Sequence, residues 1–166
     1  MKRVLYLDFE GSHSKGIREI GYLIVEDDNV VLAEEKKGEK AIKCLFSLQK
    51  DKFEYIVAHN AFVEKNLIKK YFPYYLDTET KNVRKQLWLD SLFVYRSLYP
   101  SLEKYDLKYL VETFIHPKIL ESEITRRCCH NEKTFHNPLF DAVCAYLLIK
   151  RLTNKINLNQ FLHQEL

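Results

Sequence analysis

The segment Arg3–Glu10, with the sequence RVLYLDFE, decides the fold of this chain. Its side chains alternate between two faces with the period of a β-strand, and both faces begin apolar, which predicts a central strand. The same alternation places two carboxylates, Asp8 and Glu10, on one face at the C-terminal end of the strand. That face carries Val4, Tyr6, Asp8 and Glu10, whereas Leu5, Leu7 and Phe9 lie on the other.

Further strand and helix patterns follow this strand in an order typical of α/β domains. Asp27-Asp28-Asn29 separates two strand patterns, so we expect an antiparallel hairpin there. Asn137 and Pro138 suit the N-cap and first turn of a last helix. These patterns together predict an α/β fold with a mixed sheet. The further strands are Ile17–Glu26, Val30–Lys36, Tyr55–Ala58 and Leu87–Leu89, and the helices are Glu39–Gln49, Ala61–Phe72, Asp90–Leu98, Tyr105–Phe114 and Pro138–Leu152.

The chain shows no repeat and no Pro/Gly-rich linker. We therefore expect one domain over residues 1–154 and a short C-terminal appendage over residues 155–166. Residues 116–135 are polar and without clear periodicity, which predicts a flexible loop. The helix over residues 61–72 is expected to end at Pro73. Its predicted apolar face carries Val63, Leu67, Ile68 and Tyr71.

Composition places the chain among globular proteins. It has 166 residues, of which 46% are apolar, enough for one domain with a full core. The net charge of +3 permits nucleic-acid binding without requiring it. Short apolar runs and an early acid in the N-terminal segment predict a cytoplasmic protein without membrane association. The four cysteines lack a C-x2-C spacing, which predicts free thiols.

Three short motifs of acids and histidines stand out because of their order along the chain. Each motif alone is weak, since D-x-E on a strand is usually a surface pair and Asn before a helix is often only a cap. Their combination indicates a metal-dependent nuclease, because carboxylates gathered in one site need cations to offset their repulsion. The motifs contribute Asp8 and Glu10, then His59, Asn60 and Glu64, and finally His136 and Asp141.

The chemistry of these residue types points to particular ions and roles. Carboxylate ligands favour the hard ions Mg²⁺ or Mn²⁺, and two such ions can act on both sides of a phosphodiester. His136 is the candidate general base, because it precedes Asp141 at a helix entry and histidine ionises near neutral pH. Asp90 is a competing acid, but its place at a predicted helix start favours an N-cap role.

Several stretches of the chain resemble the DEDDh-type 3′–5′ exonucleases, the superfamily of the proofreading epsilon subunit of DNA polymerase III and of ribonuclease T. The resemblance covers about residues 3–152, and its motifs occur in the order typical of that superfamily. The stretches are VLYLDFEGS (4–12), IREIGYLIVE (17–26), VAHNAFVEKNLI (57–68), LWLDSLFVYRSLYPSLEKYDLKYLVETF (87–114) and FHNPLFDAVCAYLLIKRL (135–152).

This resemblance implies a ribonuclease-H-like mixed β-sheet with helices on both faces, and two-ion hydrolysis of single-stranded 3′ ends to nucleoside monophosphates. The family usually has aspartate where this chain has Glu64, and the longer side chain leaves open how firmly the second ion is held. The resemblance implies that Asp8, Glu10, Glu64 and Asp141 hold the metals, that His136 is the base, that Gly11 and Ser12 lie near the 3′-terminal nucleotide, and that His59 and Asn60 shape the site.

Two other functions stay open from the sequence. The first is a non-catalytic or weakly active nucleic-acid-binding module with the same fold, and the second is a ribonuclease-H-like endonuclease. His136 favours the exonuclease over the endonuclease. The expected partners are single-stranded DNA or RNA 3′ ends, with DNA slightly favoured, and a homodimer or a larger nucleic-acid-processing complex stays open.

Overall fold

The central feature of the fold is a mixed sheet of six strands. The computed structural model describes residues 2–71, 86–128 and 133–164. The strands are β1 Arg3–Ser12, β2 Gly16–Glu26, β3 Asn29–Lys37, β4 Tyr55–Ala58, β5 Leu87–Asp90 and β6 Leu162–Gln164. Their order across the sheet is β3-β2-β1-β4-β5-β6, in which β1, β4 and β5 run parallel and the other pairings are antiparallel. The predicted mixed sheet is confirmed.

Helices cover both faces of this sheet. They are α1 Glu39–Lys50, α2 Ala61–Lys69, α3 Ser91–Leu98, α4 Leu107–Phe114, α5 Pro117–Arg127 and α6 Pro138–Leu152. Val4 and Tyr6 of β1 face a core shared with α3 to α6, whereas Leu5 and Leu7 face a second core shared with α1 and α2. The alternation of the first strand therefore divides the interior as predicted, and the expected α/β architecture is confirmed.

The hairpin between β2 and β3 turns over two residues instead of the predicted three. Asp27 and Asp28 both have positive φ angles, of 46° and 68°. Two positive φ angles match the right-handed twist of the strands they join, so Asn29 can begin β3 opposite Glu26.

The predicted loop over residues 116–135 is wrong for most of its length, because α5 occupies Pro117–Arg127. Pro117 stands in the first turn, and Nδ1 of His116 accepts a hydrogen bond from the Lys118 N–H at 3.3 Å. Few apolar residues mark the inner side of this helix, so its periodicity is faint. A buried carboxylate, Glu123, pairs there with Arg127 at 2.7 Å. Residues 129–132 lie outside the described residues.

The described end of the chain is part of the same sheet. A 3-10 turn, Leu158–Phe161, leads into β6, which pairs antiparallel with β5, and Phe161 is buried. The predicted appendage therefore contributes an edge strand, while the domain division at residue 154 stays a prediction. Helix α2 ends at Lys69, and its predicted end at Phe72 and Pro73 lies outside the described residues.

No helix within the described ranges is long and apolar enough to cross a membrane. Among the described cysteines, Cys44, Cys128 and Cys144 form no disulfide, as expected from the sequence, while Cys129 lies outside these ranges.

Candidate functional site

The C-terminal end of β1 carries the first two candidate residues. Glu10 is half-buried, and its Oε2 lies 3.6 Å from Nη2 of Arg18. Burial raises the pKa of Asp8 well above its usual range, and three neighbouring carboxylates raise it further. In order of effect, these neighbours are Glu64, Asp141 and Glu10. The other three acids of the predicted set therefore lie near enough to Asp8 for their charges to raise its pKa.

Asp141 reaches this group from the first turn of α6, as its sequence position suggested. Its Oδ2 accepts a hydrogen bond from the backbone N–H of His136 at 3.0 Å, while its Oδ1 is buried and accepts no hydrogen bond. Burial raises the pKa of Asp141 to about 6, opposed by the hydrogen bond from His136 and by the charge of its ring. His136 is exposed and has a φ of 69°. Its backbone hydrogen bond to Asp141 places it just before the start of α6.

The absence of a side chain at Gly21 brings α6 close to the sheet. Gly21 pairs directly with Asp8 across β1 and β2. A Cβ added to Gly21 would lie 2.0 Å from the Leu139 N and 2.1 Å from the Pro138 carbonyl carbon. Any side chain here would thus push away the first turn of α6, which carries Asp141. Sequence reasoning missed this role, because it depends on contact between distant segments.

Glu64 lies on the buried side of α2, with only 3% of its surface exposed. Its Oε2 accepts no hydrogen bond, and burial raises its pKa to about 8. The predicted apolar face of this helix is wrong at Val63, which is 44% exposed. Leu67 and Ile68 are buried as predicted, and the other buried residues of the helix are Ala61 and Glu64.

Asp90 caps two helices at once, and so extends the N-cap role expected from its sequence. Its Oδ1 accepts from the Leu92 N–H at 2.9 Å, at the start of α3. The same carboxylate accepts from the Asn60 and Ala61 N–H groups, each at 3.0 Å, at the start of α2. Asn60 has a φ of 61° and makes no capping bond through its own side chain. Asp90 therefore fixes the turn that leads to Glu64.

His59 is held in the same turn by a neighbour of Asp90. Its Nδ1 lies 2.9 Å from Oγ of Ser91, a fully buried side chain. Burial lowers the pKa of His59, although the charge of Asp90 opposes the shift. The hydrogen bond to Ser91 holds the His59 ring in the loop between β4 and α2, and the role of His59 in the site stays a prediction.

We expect Asp90→Ala to lower the free energy of unfolding by about 2–4 kcal/mol, because it leaves N–H groups of two helix ends without an acceptor. Asp106→Ala is the matched control, since Asp106 caps only α4 through one bond, from the Tyr109 N–H at 3.0 Å. That change should cost about 1 kcal/mol. Urea denaturation measures both values, and equal losses would contradict the double-cap assignment.

The two residues predicted to lie near a substrate end, Gly11 and Ser12, are exposed beyond a bulge at the end of β1. Gly11 has no room for a side chain, because its Cβ would lie 2.4 Å from the Gly16 carbonyl oxygen. The following turn is tied to the end of α2. There the Tyr71 hydroxyl accepts a hydrogen bond from the Ile17 N–H at 2.9 Å. The sequence placed Tyr71 on an apolar helix face and did not predict this polar contact.

The donor chemistry of the site fits a hard divalent cation. Glu64 Oε2 and Asp141 Oδ1 are buried carboxylate oxygens without hydrogen-bond partners, and such atoms are costly unless a cation satisfies them. Within residues 2–71, 86–128 and 133–164, no three His, Cys, Asp or Glu side chains are placed so that they could hold one ion.

Comparison with known proteins identifies the fold class. Neither a protein-family model nor a curated protein sequence matches the chain. Solved exonuclease structures do match it, and the chain has the ribonuclease-H-like α/β fold of these enzymes.

Two solved structures illustrate this likeness. Exonuclease X in complex with 5′ overhanging duplex DNA is 17% identical, with a TM-score of 0.55 and 97% of each chain covered. Exonuclease I of E. coli in complex with a dT13 oligonucleotide is 14% identical, with a TM-score of 0.62 and 93% of this chain covered. The chain spans only 41% of the length of that exonuclease I. At such identities the likeness shows the fold alone.

Proposed function

We propose that this protein is a divalent-ion-dependent 3′–5′ exonuclease of the DEDDh type, acting on single-stranded nucleic acid ends. The observation that carries the proposal is that three carboxylates, those of Glu10, Glu64 and Asp141, lie near Asp8 at the end of β1, in a fold shared with exonucleases. Two of these carboxylates have buried oxygens that lack partners.

The ion-binding residues in this proposal are the four acids. When bound, two Mg²⁺ or Mn²⁺ ions would offset the charge that develops on the phosphodiester and its leaving oxygen. The carboxylates of Asp8, Glu10, Glu64 and Asp141 would hold these ions, and Glu64 would do so in place of the aspartate typical of the resembled family.

His136 supplies the proton chemistry in this proposal. Its exposed ring beside Asp141 can take a proton from a water molecule as the water oxygen bonds to phosphorus. The bond from phosphorus to the O3′ of the shortened strand then breaks, and a nucleoside monophosphate leaves. Gly11 and Ser12 would contact the 3′-terminal nucleotide, while His59 and Asn60 would shape the surrounding turn.

We propose DNA ahead of RNA as the substrate. The support is that exonuclease X and exonuclease I were each solved with DNA, as a 5′ overhanging duplex and as oligonucleotides. Matched DNA and RNA oligonucleotides of one sequence separate the two substrates directly.

We expect the protein to shorten a 5′-labelled single-stranded oligonucleotide progressively from its 3′ end, with mononucleotide products. Mg²⁺ or Mn²⁺ should support the reaction and EDTA should abolish it. Asp8→Asn is the control for contaminating nucleases, because it replaces a proposed ion ligand by an amide of nearly the same volume.

Three other results would contradict this function. Cutting of a circular single strand would show an endonuclease, and immediate release of the labelled nucleotide would show the opposite polarity. Binding of the oligonucleotide without any hydrolysis at saturating Mg²⁺ and Mn²⁺ would show a non-catalytic binding module.

A further inference from the structure

Arg18 stands at a break in the regular pairing of β1 with β2. Glu10 of β1 pairs with Glu19, but the next residue, Gly11, pairs with Ile17, so Arg18 has no partner in β1. An extra residue of this kind forms a β-bulge, which bends the strand and changes the direction of its side chains. The backbone of Arg18 is nevertheless held, because the residues on both sides of it are paired with β1.

The bulge turns the side chain of Arg18 toward the carboxylates. In a regular strand Arg18 would face away from Glu10, because successive residues alternate and the neighbouring Glu19 is the residue that pairs with Glu10. Ile17 and Ile20 lie in the same buried core although they are three residues apart, so the alternation is interrupted between them. Nη2 of Arg18 accordingly lies 3.6 Å from Oε2 of Glu10, a proposed ion ligand.

The ion pair with Glu10 leaves the guanidinium of Arg18 accessible to a ligand. Their separation of 3.6 Å is too long for a hydrogen bond, and 62% of the Arg18 side chain is exposed. Exposed ion pairs contribute little to folding stability, so the pair explains little of the fold. A guanidinium offers five N–H donors in a plane, an arrangement that matches the oxygens of a phosphate.

We propose that Arg18 binds a backbone phosphate at the 3′ end of the substrate strand. This inference rests on the proposed function, in which the scissile phosphate lies on ions that Glu10 and the other acids hold. A guanidinium beside Glu10 can then reach that phosphate or the next one along the strand. Contact with a phosphate is the same for every base, so Arg18 would position the strand without selecting a sequence.

The first test measures strand binding apart from hydrolysis. A fluorescein-labelled single-stranded DNA, with charged phosphorothioates at its last three linkages to slow hydrolysis, is titrated with protein in Mg²⁺, and fluorescence anisotropy gives Kd. Arg18→Gln should raise Kd about 10-fold, because one charge-assisted contact is lost. Arg18→Lys should give an intermediate Kd, because it keeps the charge but not the planar donors.

Arg126→Gln is the matched control for the loss of one exposed arginine. Nη1 of Arg126 also lies 3.6 Å from a carboxylate, that of Glu123, and 63% of its side chain is exposed. It belongs to α5, a helix that contributes no candidate site residue. Its Kd should stay near the parent value, and circular dichroism should show that both glutamine variants are folded.

The second test removes the charge from the strand instead of from the protein. An uncharged methylphosphonate replaces each of the last three linkages in turn. At one of these linkages the replacement should weaken binding by the parent about 10-fold more than binding by Arg18→Gln. Arg126→Gln should lose as much affinity as the parent at every linkage.

Two results would overturn the inference. One is a parental Kd for Arg18→Gln on the charged strand. The other is an equal loss in the parent and Arg18→Gln at all three linkages, because Arg18 would then act only through Glu10 or through its general charge. A parent that neither binds nor shortens the strand would instead refute the proposed function itself.

Discussion

His136→Asn should lower the rate of 3′-end hydrolysis by about 10²–10⁴-fold while leaving the protein folded. His136 has a φ of 69°, a conformation that asparagine tolerates and alanine does not. The substitution therefore removes the ring that would accept the proton but keeps the backbone N–H that donates to Asp141. Single-turnover hydrolysis of a 5′-labelled oligonucleotide, with the folded fraction taken from circular dichroism, measures the loss.

His136→Ala is the comparison that separates chemistry from structure. Alanine adds the strain of a left-handed backbone, so this variant should be less stable than His136→Asn by roughly 1 kcal/mol. Both variants should share the same low rate per folded molecule. If His136→Asn turns over like the parent, His136 is only a helix-entry residue and the assignment of the base is wrong.

Gly21→Ala should lower the rate by about 100-fold or more and destabilise the protein by about 1–3 kcal/mol. The added Cβ would meet the backbone of Pro138 and Leu139 at 2.0 to 2.4 Å, so the first turn of α6 has to move away. Asp141 would move with that turn, away from Asp8, and a displacement of about 1 Å is enough for such a loss. Steady-state kinetics and thermal unfolding measure the two effects.

Gly38→Ala is the control for a general effect of adding a methyl group to glycine. Gly38 has a φ of 58° and nothing within 4 Å of an added Cβ, so alanine there costs backbone strain without displacing a neighbour. The Gly38→Ala variant should be less stable than the parent by about 1–2 kcal/mol, and its rate of hydrolysis per folded molecule should not change. Equal activity in the two folded variants would show that Gly21 does not set the position of Asp141.

The sequence alone predicts those parts of the fold in which local pattern and burial agree. The alternation of β1 correctly divides the two cores, and Asn137 caps α6, with its Oδ1 accepting from the Phe140 N–H at 3.2 Å. In α5 the prediction fails because few apolar residues mark the inner side of the helix, and the ion pair between buried Glu123 and partly buried Arg127 occupies part of that side.

The candidate site is less accessible to sequence reasoning than the fold. Its acids could be selected by spacing, but the inward direction of Glu64 depends on how α2 rotates against the sheet. The same applies to Val63, which is exposed although Leu67 and Ile68 of the same predicted face are buried. The double cap by Asp90 and the close approach at Gly21 join segments far apart in the chain, so no local pattern could reveal them.

We infer that the carboxylates of Asp8, Glu10, Glu64 and Asp141 form one cation site, and that Glu64 carries a proton until the ion binds. Burial raises the pKa of Glu64 to about 8 and that of Asp141 to about 6, and the pKa of Asp8 is raised well above its usual range. Below its pKa, Glu64 carries a proton that a cation has to displace, and the raised pKa values of Asp8 and Asp141 favour proton release in the same direction. Ion binding should therefore release protons near pH 6.5 and fewer as the pH rises past the pKa of Glu64.

Calorimetric titration of the protein with Mg²⁺, in buffers of different ionisation enthalpy, tests this claim most directly. We expect the release of about one to two protons per protein at pH 6.5 and fewer at pH 8.5. Glu64→Gln should lower the count at pH 6.5, because that variant has no proton to give up at this position. Mg²⁺ binding without proton release at pH 6.5, or no binding at millimolar Mg²⁺, would contradict the claim.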